Sequence, residues 1–188
     1  MNDATRLLAW KLNWWRQSEL EGALLLGRLV AHAGDAELCN RLTRHCAEEA
    51  EHSRLWTNAL AELALPHVRI HRSYQAFFLE HTDAPRTLVE VLAFTQVFEK
   101  RVHRRFHEEL REPHTPPAAR RAYERMIDDE RDHLAWVAAW LAQREESDEQ
   151  LRRFALADRA VFTSIAPFND RLWEIPGLGT EACEEVAA

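Results

Sequence analysis

The chain has 188 residues and a mass of 21.9 kDa, the size of one domain. With only 5 Gly and 7 Pro, and with Leu and Ala far outnumbering Val and Ile, a turn-dense β-sandwich or barrel is excluded and long helices are expected. Lys and Arg total 24 against 31 Asp and Glu, so the net charge of −7 gives no general electrostatic reason to bind nucleic acid or an anionic membrane. The small basic cluster of Arg101, Arg104 and Arg105 reads as a solvated helix face.

The charge-free apolar stretch from Gly22 to Gly27 is far too short to span a bilayer, and mean hydropathy is −0.44. No charged segment followed by an apolar one opens the chain, so a soluble, unexported protein is expected. Cys39, Cys46 and Cys183 are an odd number without a Cys-x-x-Cys, which leaves no disulfide framework, rubredoxin-type site or zinc ribbon. A reducing cytoplasm fits best.

Apolar residues recur every three to four positions over four long stretches, the period of amphipathic helices. The first starts after Asn2 or Asp3 and runs to His32, with Gly34 as its stop. A second is capped by Asp35 and ends near Leu65, before Pro66. Thr87 and Glu90 have capping-box spacing at the head of a third, which begins between Asp83 and Thr87 and runs to about Arg111. The fourth begins at Thr115, with Pro116 in its first turn, and ends near Gln143. Each would be roughly 40 Å long.

A few residues join the first and second helices, and likewise the third and fourth, so each pair is expected to form an antiparallel hairpin. Residues 66–85 between the pairs are enough to cross the length of a bundle and strap it. The expected fold is therefore all-α: a four-helix bundle of two antiparallel hairpins with one long crossover, over residues 1–145. A C-terminal fifth helix is expected from Ser147, boxed by Gln150, with Pro167 near its end; together with a loose tail after Pro176 it makes residues 146–188, packed on the same domain.

Polar residues interrupt the apolar stripe of each long helix. The second helix reads Leu38, Leu42, Cys46, Glu49, His52/Ser53, Trp56, Leu60, and the fourth Tyr123, Met126, Glu130, His133/Leu134, Val137, Leu141. Residues at i and i+3 share a helix side, so each Glu-x-x-His can present two ligands to one point. Each of the other two stripes carries a lone carboxylate: Glu19 among Leu12, Trp15, Ala23, Leu26 and Val30, and Glu99 among Leu92, Thr95, Val102 and Phe106. With 22 Glu and 10 His, chance alone supplies about one Glu-x-x-His. Two occur, both on apolar faces, and each follows its lone glutamate by about 30 residues, with the halves offset by about 80 as a repeated hairpin requires.

Four carboxylates gathered in a bundle interior repel one another and cost several kcal/mol each in desolvation, a burden two divalent cations would cancel. Oxygen-rich ligation with one imidazole per ion suits iron or manganese better than zinc or calcium. Glu, then Glu-x-x-His, repeated after a crossover across residues 19–133, resembles the ferritin-like di-iron carboxylate superfamily, including rubrerythrins and bacterioferritins. The resemblance implies Glu19, Glu49, His52, Glu99, Glu130 and His133 as ligands of two Fe ions, or of Mn or a mixed Fe/Mn pair, with Glu49 and Glu130 bridging. It also places Asp129 and Glu48, each preceding a ligand glutamate, where they reach across to the opposite histidine.

Departures narrow what carries over. Ala50 stands where a bacterioferritin would offer a methionine to haem, so no haem is expected. No four-cysteine electron-relay domain is present, and Arg131 precedes Asp132 rather than His133, unlike the motif of reductase small subunits and multicomponent hydroxylases. Single-chain tRNA hydroxylases and aldehyde-deformylating oxygenases are similar in size, although the acidic balance disfavours tRNA.

Among the neighbours, Glu19 is preferred to Glu21, whose stripe holds Gln17 and Arg28. His45 and His103 lie one turn from Glu49 and Glu99, where either could touch the site, but satisfied interior or interfacial histidines are the preferred reading; Tyr123 is expected as core, Cys46 as a buried small hydrophobe, and Trp15 and Trp56 as the walls of the metal chamber. The resulting expectation is a dinuclear redox protein that activates O2 or peroxide, with an external electron donor and a small organic substrate, in a chain that could act as a homodimer. The alternatives are a ferroxidase that takes Fe(II) into storage and a metal-free structural bundle.

Overall fold

Backbone N–H groups left over at helix starts find side-chain acceptors at three of the long helices of the computed structural model, which describes residues 1–180. Asn2 accepts from the Thr5 N–H at 2.9 Å and opens α1 (Asp3–Val30). Asp35 accepts from Leu38 at 2.8 Å and opens α2 (Ala36–Glu62). α2 ends at Leu63 with Ala64 in the left-handed region at φ 50°, and the Leu65 N–H returns to the Leu60 carbonyl at 3.0 Å. That closure ends the helix before Pro66.

The segment between the hairpins holds more structure than a strap. It contains β1 (Arg69–Ile70) and the short α3 (Tyr74–Phe78), whose Ser73 cap accepts from the Ala76 N–H. Thr87 and Glu90 then make the reciprocal capping box at the head of α4 (Leu88–Arg111). α5 (Pro117–Leu141) begins two residues later than Thr115, with Pro116 at the cap position, because Thr115 donates to the Glu109 carbonyl at 2.6 Å instead.

α6 (Ser147–Ile165) follows directly, but the expected Ser147–Gln150 box does not form. The Ser147 hydroxyl donates to the Leu141 carbonyl at 2.8 Å, tying the helix to the end of α5. Nor are residues 176–180 loose. Leu178 is buried, and β2 (Gly179–Thr180) pairs antiparallel with Arg69–Ile70. Cys183 and the acidic terminus lie outside the described residues.

The fold is all-α, with α1 against α2 and α4 against α5 as antiparallel pairs, α2 also touching α5, and α6 laid along α4. Residues 31–35 join α1 to α2, 63–87 lie between the two pairs, and 112–116 join α4 to α5. Lys11 reaches Glu109 at 2.9 Å and Trp15 meets Phe106 edge-on at 5.3 Å, so α1 is held to α4 as well. Arg101 is not a solvated residue: it pairs with Asp158 of α6, which also accepts from the Tyr74 hydroxyl at 3.2 Å. Arg105 pairs with Glu108 and Glu109. No helix among the described residues is long and apolar enough to cross a membrane.

Candidate metal centre

All six ligand candidates are buried in the core. Glu19 comes from α1, Glu49 and His52 from α2, Glu99 from α4, and Glu130 and His133 from α5. They fall into two groups whose donor atoms lie within 4.8 Å of one another: Glu19, Glu49, His52 and Glu130, and Glu49, Glu99, His133 and His45. Glu49 belongs to both.

The histidines fix their own orientation through carboxylates on the opposite helix. His52 Nε2 lies 3.3 Å from Asp129 Oδ2, and His133 Nε2 lies 3.0 Å from Glu48 Oε2. A carboxylate only accepts, so a neutral ring there carries its proton on Nε2 and leaves the Nδ1 lone pair free. Those Nδ1 atoms face the carboxylates: His52 Nδ1 is 3.5 Å from Glu130 Oε1 and 3.9 Å from both Glu19 and Glu49. His133 Nδ1 is 3.4 Å from Glu49 Oε1.

Buried polar atoms are normally hydrogen-bonded, and the exceptions are informative. Here His52 Nδ1, His133 Nδ1, Glu49 Oε1, Glu99 Oε2 and Glu130 Oε2 are buried without a hydrogen-bond partner. Of these, His52 Nδ1 faces Glu130 and His133 Nδ1 faces Glu49 Oε1. The residues present therefore fit one or two divalent ions by donor type, burial and unspent lone pairs.

Protonation in the metal-free chain shows the same strain. Burial, followed by the charge of Glu49, pushes the carboxyls of Glu19 and Glu130 well above the ordinary carboxylate range. Burial also works to raise Glu49, but the facing imidazoles, His45 foremost, outweigh it and hold it down at about 2. Burial lowers His52. For His45 burial is outweighed by the charges of Glu99 and Glu49, which push it up to about 10. Without metal, a histidinium is the internal counter-charge to the carboxylates.

Of the two readings open for His45, contact with the site and a satisfied interior histidine, the structure shows the contact. His45 Nε2 is 2.8 Å from Glu99 Oε1 and 3.3 Å from Glu49 Oε1, off the line of a hydrogen bond, and its ring stacks on His133 at 3.6 Å. The buried stripe of α2 runs Leu38, Leu42, His45, Glu49, His52, Trp56, Ala59, alternating steps of four and three. That spacing was the available signal, and a step of four from Leu42 to Cys46 lost it. Cys46 is only half-buried and donates to the Ala23 carbonyl at 3.2 Å. His103 sits apart, edge-on to His107 at 4.6 Å.

Other neighbours divide cleanly. Trp56 donates to Glu19 at 3.4 Å and packs on Tyr123 at 4.8 Å, whereas Trp15 lies against Phe106. Glu21 bonds Gln17 at 2.9 Å and accepts from Ser73, at the rim of the site. Gly22 is a close-approach residue: a Cβ there would come within 2.8 Å of Glu49 Oε2. Beside it opens a cavity of about 590 Å³ that reaches Glu19, Glu49, Glu99 and Glu130, walled largely by Leu25, Phe78, Phe94, Phe98 and Phe154.

No family model, curated protein or solved structure matches the chain. What fold and site define is an all-helical protein whose buried His and Glu clusters could hold metal ions.

Proposed function

We propose that the chain is a ferritin-like dinuclear carboxylate oxidoreductase, holding Fe or a mixed Fe/Mn pair, that activates O2 or peroxide against an apolar organic substrate with electrons from an external donor. The observation that carries the reading is Glu49, buried and shared by two ligand groups that together draw on α1, α2, α4 and α5. The short, long, short order of helix connections agrees with the superfamily that the spacing of these residues resembles. When bound, the metal pair supplies redox and Lewis-acid chemistry. Glu19, Glu49, Glu99 and Glu130 would hold it by oxygen, with His52 and His133 by Nδ1.

The protein's own contribution is orientation and exclusion of water. Asp129 and Glu48 lock the tautomer and swing of the two imidazoles. The Trp56 N–H anchors Glu19. Hydrophobic walls of the cavity bind and desolvate an organic molecule beside the carboxylates, and a cavity of about 590 Å³ lies within the range of small-ligand sites. Such a chamber favours an enzyme over an iron store, which needs no room for an organic group.

Anaerobic reconstitution with Fe(II) should leave about two ions per chain after desalting, and the E49A/E130A double variant should retain none. On exposure to O2 or peroxide with a reductant, apolar compounds offered to the loaded protein should be oxidised. A cage-sized particle that mineralises iron would move the protein to storage, and absence of metal uptake would leave a structural bundle.

A further inference from the structure

We propose that His45 is a seventh metal ligand, so that the two ion positions are chemically unequal; the proposal rests on the dinuclear reading above. Two donors at neighbouring vertices of an octahedral ion with bonds of about 2.1 Å lie about 3.0 Å apart. His45 Nε2 stands 2.8 Å from Glu99 Oε1 and 3.3 Å from Glu49 Oε1, and His133 Nδ1 stands 3.4 Å from that same Glu49 oxygen. These separations bracket the expected value. Nε2 faces the two carboxylates off the line of a hydrogen bond, and an ion held between them would use all three atoms at once.

The other half of the molecule has no counterpart. One turn before Glu130, where His45 stands before Glu49, is Met126, fully buried and offering no nitrogen or oxygen donor. One position therefore offers three carboxylates and one imidazole (Glu19, Glu49, Glu130, His52). The second offers two of each (Glu49, Glu99, His133, His45). With one negative charge fewer and one nitrogen more, the His45 position favours the softer, later ion and the divalent state, while the carboxylate-rich position favours Mn(II) or the higher oxidation state. Unequal sites of this kind would fill in order.

Co(II) titration of the metal-free protein distinguishes the outcomes. Wild type should bind two ions per chain, and H45A and H45Q should keep one affinity and weaken the other at least tenfold, whereas M126A should retain both. Co(II)-loaded wild type should also show three exchangeable imidazole N–H resonances shifted far outside the diamagnetic proton range, and H45Q two. Two such resonances in wild type, or unchanged affinities in a folded His45 variant, would overturn the seventh ligand and leave the dinuclear centre standing. Failure of wild type to take up Co(II), Fe(II) or Mn(II) would instead remove the centre itself.

Discussion

Gly22 faces the Glu49 carboxylate so closely that a methyl group in its place would lie 2.8 Å from Oε2. In the metal-free protein only the carboxylate end of a flexible side chain has to shift by a few tenths of an ångström, and alanine is the better helix former by about 1 kcal/mol. With ions bound, the same shift breaks coordination. Gly22→Ala should therefore leave apo stability unchanged or raised by up to about 1 kcal/mol while weakening metal binding about tenfold or more, as thermal melts and competition titrations would read. Equal destabilisation of both forms would contradict this. Asp129→Asn and Glu48→Gln replace the charged acceptors behind His52 and His133 with weaker neutral ones without touching an ion, and each should cost about 10- to 100-fold in metal affinity. The glutamates and paired histidines were legible because carboxylates in an apolar stripe conflict with burial unless something neutralises them. His45 was legible only as one of two histidines a turn from a ligand candidate, and its distances to Glu49 and Glu99 are what set it apart from His103.

At the scale of elements, α2 ends in a left-handed turn made by the wrong residue. Ala64 holds φ 50°, the Ala64 N–H bonds the Ala61 carbonyl at 3.1 Å, and the Leu65 N–H bonds Leu60. Such a position suits glycine, and Ala64 is exposed, so its methyl group contributes no packing. Ala64→Gly should raise stability by about 0.5–1 kcal/mol with no change in metal binding; a lowered melting temperature would refute it. Long helices were readable to within a few residues because Asn2, Asp35 and Thr87 announce their starts and the apolar period runs for many turns. α3 and the β1–β2 pair were not, since five-residue and two-residue elements are too short to carry a period. Tertiary contacts hold them: Tyr74 to Asp158, Gln75 to the Ser18 carbonyl at 3.0 Å, and Leu178 buried beneath the strand pair. The cavity wall that α3 supplies was hidden for the same reason.

For the whole molecule, the clusters couple stability to pH and to metal. In the metal-free chain Glu19, Glu130 and His45 all have folded values above their unfolded ones, so the folded state binds more protons than the unfolded state and stability falls as pH rises. Between pH 7 and 9 His45 stays charged in the fold, at about 10, but is neutral once unfolded. It alone contributes a loss of up to about 1.4 kcal/mol per pH unit. Glu49 and His52 act in the opposite sense, but their stabilising contributions are lost only as pH falls below the ordinary carboxylate and imidazole values, outside this window. Bound metal would replace these protons, so its affinity should rise with pH and the loaded protein should escape the decline. At a free concentration a hundred times the dissociation constant, binding adds about 2.7 kcal/mol, worth roughly 5–10 °C in a chain of this size. Melting curves with and without Fe(II) or Mn(II), taken anaerobically at pH 7, 8 and 9, should therefore diverge as pH increases, the apo curve falling and the loaded curve holding. Parallel curves would mean that the ions displace no protons, and so do not sit among these carboxylates.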